Sequence, residues 1–234
     1  DMRMDPSNGM PARDWVNTPS NDKAPRDFAR TVVDMAQKAN LKTTLLDKKE
    51  LARQKFGALL AVSAGSPRDP AMVLLDYAPS KAKQTVVLVG KGVMFDSGGL
   101  NLKTTKTINM MKVDMAGAAA VAATLLTLAR LKPKVRVVGV MPLVENLISG
   151  RATRPGDIVR AHNGKTVEIG NTDAEGRLIL ADAMAFAVKK FKPDVVVDIA
   201  TLTGACITAL GDDIAGLFTR DDELAAALLG AAEK

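Results

Sequence analysis

Asp96, Asp114, Asp173 and Glu175 are four carboxylates set in loop-like or element-end segments, "VMFDSGG", "MKVDMAG" and "NTDAEGRL". Taken singly, each reads as a surface or capping acid. Thr172 or Asp173 could cap the helix that follows them, and acids in a first turn offset the helix dipole. Taken together they carry about four negative charges, which repel strongly if gathered without compensation. Two divalent cations would balance them. Such a pair can clamp a bridging water, lower its pKa and polarise a carbonyl. Basic groups share these segments: Lys91 and Lys103 stand on either side of Asp96, and Arg177 follows Glu175 by two residues.

Other chemistries find little support. His162 is the only histidine and Cys206 the only cysteine, so there is no Cys/His zinc cluster, no HExxH and no intrachain disulfide. With so little nitrogen or sulfur to offer, oxygen ligands are the practical choice for a metal. A dinucleotide loop at Gly90-x-Gly92 fails because its third glycine position is Phe95. A phosphate loop at "HNGKT" fails because Val159 stands where its first glycine is required. His162 sits in a polar turn with no nucleophile elbow nearby and reads as a solvated histidine.

The elements that must position these groups alternate. Strands are expected at 43–47, 71–78, 85–90, 135–144, 165–170 and 194–202. The runs "TVVLVG", "VRVVGVMPLV" and "DVVVDIATL" are continuously apolar, as strands buried on both faces are. Helical spacing of apolar residues covers 27–39, 116–131 and 177–191, and the final "DDELAAALLGAAEK" also reads as a helix. The small residues from Gly117 to Ala120 would let the second helix approach a neighbour closely. Alternation of this kind predicts an α/β fold, a mostly parallel central sheet flanked by helices in an α-β-α sandwich. Ligands in such sheets sit beyond the C-terminal strand ends. Lys91, Asp96 and Lys103 follow 85–90, Asp173, Glu175 and Arg177 follow 165–170, and "TGACITALG" follows 194–202.

Composition is that of a globular chain of 234 residues, 47% hydrophobic and 25% charged, with only 3% aromatic. No apolar run of about 18 residues is evident, so no membrane-spanning helix is expected. The first residues, "DMRMDPSNGM" onward, lack a signal-peptide apolar stretch and do not begin with Met. A single cysteine fits a reducing, cytoplasmic setting. The net charge of +6 permits nucleic-acid contact, but the lysines are scattered and stacking aromatics are few.

Four segments, "VGKGVMFDSGGLNLK", "MMKVDMAGAAAV", "VENLISGRATRPGD" and "NTDAEGRLILADA", closely resemble those of the leucine aminopeptidase (cytosol aminopeptidase) family of dinuclear metalloexopeptidases. "NTDAEGRL" is similar to that family's signature octapeptide. "ARDWVNTPSN" and "DIATLTGA" also resemble family segments, in the same order, so the likeness runs from about Ala12 to about Leu228. The resemblance implies a metal-dependent aminopeptidase that removes N-terminal residues, Leu preferred, by a two-metal bridging-water mechanism. It implies that Asp96 and Glu175 bridge the metals, that Lys91 and Asp114 complete the tighter site, and that Asp173 serves the more exchangeable one. Lys103 would polarise the substrate carbonyl, and Arg177 would hold a bicarbonate ion acting as general base. The implied cofactors are two divalent metal ions, Mn or Zn with Mg or Co also admissible, and bicarbonate. The implied partners are peptide substrates and, in the full-length protein, a homo-hexamer. Residues 1–234 would be the catalytic domain, with the family's N-terminal domain absent and the C-terminal part missing. Met94 stands where the family usually carries Thr or Cys. Met94, Met111 and the segment Thr201–Ala205 are expected to line the side-chain pocket. Some bacterial relatives also bind DNA, so a non-catalytic DNA-binding or structural paralogue is the alternative.

Overall fold

The computed structural model describes residues 11–233; the opening "DMRMDPSNGM" stretch and Lys234 lie outside it. The chain divides into two compact units, the first ending at Thr201 and the second starting at Leu202.

In the first unit the longest apolar runs build the sheet. Its strands are β1 (Lys42–Leu46), β2 (Ala71–Tyr77), β3 (Thr85–Gly90), β4 (Gly92–Asp96), β5 (Arg136–Asn146) and β8 (Val195–Ile199). Their order is β1-β2-β5-β3-β8, with β4 also paired to β5. The pairings of β3 with β5, β3 with β8 and β4 with β5 are parallel, while β1–β2 and β2–β5 are antiparallel. The sheet is thus mostly parallel with an antiparallel flank.

Residues 165–170 do not join this sheet. β7 (Thr166–Glu168) pairs antiparallel with β6 (Ile158–Arg160) in a separate two-stranded ribbon. Its exposed-intermediate-exposed pattern has no apolar run to bury between helices. The Asp173–Glu175 segment therefore arrives from a ribbon rather than from a sheet strand.

Side-chain alternation divides the core in two. Val73, Leu75, Val137, Met141 and Leu143 point to one face, where α2 (Pro25–Lys38) and α6 (Ala116–Leu131) bury Phe28, Val32, Val121 and Leu125. Met72, Leu74, Val87, Val89, Val138 and Val140 point to the other, against α4 (Gly57–Ser63) and α7 (Glu175–Phe191) through Leu59, Ile179 and Phe186. This is the α-β-α sandwich that period-2 strands with two buried faces require. Short helices α1 (Pro11–Asn17), α3 (Lys48–Arg53) and α5 (Thr105–Ile108) complete the unit.

A 3-10 turn and α6 together make one helical stretch, Met111–Leu131, that is long and apolar enough to cross a membrane by length and composition. The expectation of no such stretch is corrected here. Gly117, Ala118, Ala119, Val121, Ala122 and Leu125 are all buried against the sheet, so its apolar character is accounted for by the core.

The chain passes from β3 through α6 to β5, then through α7 to β8 on the other side of β3. The two crossovers cover opposite faces, so β3 stands at a topological switch point, where open α/β sheets leave a crevice. In the second unit, α8 (Ala205–Leu210) and α9 (Asp222–Ala232) are short helices, and the Asp221 side chain caps α9 by accepting from the Leu224 N–H. Cys206 lies in the first turn of α8.

Candidate metal centre

β3 and β4 behave as one strand with a fault at each site residue. Both run along β5 in the same register, Val89 opposite Val140 and Gly92 opposite Leu143, with Lys91 between them outside any strand. The register then slips by one residue before Asp96 comes opposite Asn146. Such a bulge re-aims the side chain that follows it. It sets Asp96 at the strand ends, where its carboxylate meets Lys103 and Asn146.

Asp114 is brought in by close backbone packing. The Ala118 N–H donates to the Lys91 carbonyl at 2.8 Å, and the Val93 N–H donates to the Asp114 carbonyl at 3.2 Å. A Cβ on Gly117 would stand 2.0 Å from the Ile199 carbonyl oxygen, so only glycine lets the first turn of α6 rest on the ends of β3 and β8.

Here the side chains converge. Lys91 Nζ lies 2.7 Å from Asp114 Oδ1 and 2.8 Å from Glu175 Oε1, and donates to the Thr201 carbonyl at 3.0 Å. Lys103 Nζ lies 2.9 Å from Asp96 Oδ2 and 2.5 Å from Asp173 Oδ1. The Thr201 hydroxyl donates to Asp114 Oδ1 at 2.7 Å. Asp96, Asp114 and Glu175 are buried, and each offers an oxygen within 4.8 Å of the other two.

Thus six of the seven candidate residues, Lys91, Asp96, Lys103, Asp114, Asp173 and Glu175, form one cluster. The seventh, Arg177, is exposed in the first turn of α7, and its side chain has no ion pair or hydrogen bond among the described residues. The capping reading is corrected. The residue preceding α7 is Ala174, without a side-chain cap, while Thr172 and Asp173 direct their side chains to Gly98, Asn101 and Lys103.

Four carboxylates facing two lysines leave the cluster formally short of positive charge. Burial pushes the Asp114 carboxyl up to about 7, against the pull of Lys91. Burial likewise raises Glu175, with Lys91 opposing and Asp96 adding to the rise. Burial works against the ammonium of Lys91, yet Asp114 and Glu175 hold it above its ordinary value. Lys103 is held high in the same way by Asp173 and Asp96. Among the described residues, buried Asp114 Oδ2, Asp173 Oδ1 and Glu175 Oε1 make no hydrogen bond, although the last two lie at ion-pair distance from a lysine. Buried carboxylate oxygens are ordinarily hydrogen-bonded. An oxygen-rich, under-compensated cluster is the donor set that suits a hard divalent cation.

Sequence reasoning missed the groups that hold this cluster in place. Asn146, at the end of β5, donates to Asp96 and to the Thr172 carbonyl, and Thr201 anchors Asp114. The one available signal was the polar "EN" closing an apolar strand. Met94 is fully buried among Trp15, Phe28 and Met115, so it belongs to the core; Met111 is half-buried. His162 is only partly exposed. It stacks on Phe56 at 4.5 Å, and its Nδ1 lies 2.9 Å from the Gln54 carbonyl.

A "probable cytosol aminopeptidase" of Chlorobaculum tepidum is 48% identical over 223 residues, covering 95% of this chain and 44% of that protein. One of Albidiferax ferrireducens is 47% identical, covering 95% and 46%. The solved structure "Bottromycin maturation enzyme BotP in complex with Mn" superposes with a TM-score of 0.91 at 46% identity, over 95% of this chain and 49% of that one. The chain therefore spans less than half the length of these curated relatives. Residues 10–234 match the model of the cytosol aminopeptidase family, catalytic domain, and the chain belongs to that family.

Proposed function

We propose that this chain carries the metal centre of an aminopeptidase that releases N-terminal residues, Leu preferred, from peptides. The observation that carries the reading is the buried trio Asp96, Asp114 and Glu175, joined by Asp173 and compensated, among the described residues, by Lys91 and Lys103 alone. Asp96, Asp114, Asp173, Glu175 and Lys91 would hold two divalent ions, Mn or Zn, with Mg or Co also admissible. The similar BotP was solved in complex with Mn, which supports manganese. Bound there, such ions would supply Lewis acidity toward a peptide carbonyl and a lowered pKa for water.

The chain's own residues do the rest. Lys91 is a buried amine held against Asp114 and Glu175 of the trio, and as a ligand it would give up a proton that these two now favour. Lys103, partly exposed between Asp96 and Asp173, presents a positive charge to the crevice, where it would polarise the scissile carbonyl and stabilise the oxyanion. Arg177, exposed in the first turn of α7 and without a partner among the described residues, would hold bicarbonate as the general base at a helix end that itself favours anions. A cytoplasmic location and, for the full-length protein, a homo-hexamer belong to the same reading.

The test is release of a chromophore from a leucine anilide with Mn²⁺ or Zn²⁺ and bicarbonate, before and after chelation. Turnover should depend on metal and fall by orders of magnitude in Glu175→Gln. Near-normal turnover in that variant would refute the role given to Glu175. Absence of turnover together with absence of metal binding would remove the reading.

A further inference from the structure

One amide ties the two carboxylate-bearing loops together. Asn146 is 5% exposed, at the last position of β5. Its Nδ2 donates to Asp96 Oδ1 at 2.9 Å and to the Thr172 carbonyl at 3.0 Å. Both amide hydrogens are therefore committed, one to each loop. Its backbone carbonyl accepts from the Ser97 N–H at 2.9 Å and from Ser97 Oγ at 2.8 Å.

Thr172 continues the seam. Its hydroxyl donates to the Gly98 carbonyl at 2.7 Å and accepts from the Asn101 N–H at 2.9 Å. Its own N–H donates to Asn101 Oδ1 at 2.8 Å. A Cβ on Gly99, whose φ is +65°, would stand within about 3.0 Å of both Thr172 Oγ1 and Asn146 Oδ1. The loop therefore closes around these two side chains with no space to spare.

The consequence is chemical as well as mechanical. Asp96 has two oxygens. Oδ1 accepts from Asn146 and from the Gly98 N–H at 2.9 Å, while Oδ2 faces Lys103. Donors on one oxygen set the carboxylate plane and decide which oxygen faces Lys103. The same amide fixes the carbonyl one residue before Asp173.

We propose that Asn146 is the positioning residue of the centre, setting the spacing of Asp96 against the Asp173 turn and the orientation of the Asp96 carboxylate. The proposal rests on the metal reading above. It assigns Asn146 no contact with substrate. Groups that orient metal ligands in this way carry about 10- to 100-fold in metal affinity.

The test is calorimetric titration of the metal-free full chain with Mn²⁺, for wild type, Asn146→Leu, Asn146→Ala and Thr172→Val, alongside thermal unfolding followed by Trp15 fluorescence. Asn146→Leu keeps the volume and removes both donors. Mn²⁺ affinity should fall roughly 10- to 100-fold in a folded Asn146 variant and about tenfold in Thr172→Val. A merely structural amide would lower the melting temperature and leave Mn²⁺ affinity where it was; that result overturns the proposal. If neither Asn146→Leu nor Asn146→Ala folds, Asn146→Ser, which has one side-chain donor hydrogen in place of two, decides, and unchanged affinity there overturns it equally. Wild-type chain that binds no Mn²⁺ would overturn the metal reading and this proposal together, whereas wild-type binding with unaltered variants overturns this proposal alone.

Discussion

Lys91→Met isolates the electrostatics of the cluster from its catalysis. In the metal-free chain, the Lys91 ammonium sits 2.7 Å from Asp114 Oδ1 and 2.8 Å from Glu175 Oε1, with all three side chains at most 5% exposed. Methionine fills most of the volume and removes the charge, leaving two buried carboxylates facing each other with Asp96 nearby. Breaking a buried pair from one side costs about 3–5 kcal/mol, because the partner stays buried and uncompensated. In a chain of this length that is a fall of roughly 10 °C in melting temperature. The cost should also grow with pH. Burial already raises Asp114 to about 7 and raises Glu175, and loss of Lys91 removes the charge that opposes both shifts. A carboxyl whose folded pKa is raised contributes most below its unfolded value, and that contribution is lost as pH climbs through the folded value. The variant should therefore be closer to wild type at pH 5 than at pH 8. The assay is urea denaturation with chelator present, read by Trp15, the single tryptophan, which is buried in the first unit edge-on to Phe28. A loss below about 1 kcal/mol, equal at both pH values, would refute the claim that Lys91 compensates this cluster.

Three further outcomes are expected. Asp182, fully buried, accepts from the Leu59 N–H at 3.0 Å and the His162 N–H at 2.7 Å, so Asp182→Ala should cost about 3 kcal/mol in urea denaturation by orphaning those donors. Because burial raises this carboxyl above 3.8, the penalty should shrink as pH rises from 4 through the raised folded value. Lys23 donates to the carbonyls of Trp15, Val16 and Lys112, while burial and the charge of Lys112 push its amine down to about 8. Between about 8 and 10.5 the unfolded chain binds the extra proton, so wild-type stability should rise relative to Lys23→Met across that window, measured by urea midpoints. Lys132 and Lys192 end α6 and α7 in the left-handed region at φ 52° and 46°, so Lys132→Gly and Lys192→Gly should each stabilise by roughly 0.5 kcal/mol in thermal melts.

How much of this could be read from the residues follows from how each group earns its place. The central strands and the three long helices were legible because burying apolar surface on two faces forces continuous or 3.6-periodic apolar runs. β4 was not, because Lys91 interrupts what is one bent strand along β5, and a lysine inside an apolar pattern reads as its end. Residues 165–170 carried strand-forming types but only a half-buried centre, and composition alone does not say which sheet a short strand joins. The separation of the carboxylates from ordinary capping acids came from the family resemblance, since Thr172 and Asp173 satisfy every local rule for a helix cap that they do not form.

The supporting groups escaped for a different reason. Metal ligands are constrained in type, because few side chains can carry the charge, and that constraint shows in one sequence. A positioning group is constrained only in place. Asn146 acts because the register slip between Val93 and Asp96 sets Asp96 opposite it, and because the ribbon β6–β7 returns the chain to Thr172 within reach of its second hydrogen. An asparagine ending a strand would look the same with neither event. Placement of this kind arises from three segments separated by 50 and 26 residues, and it becomes visible only when the sheet has brought them together.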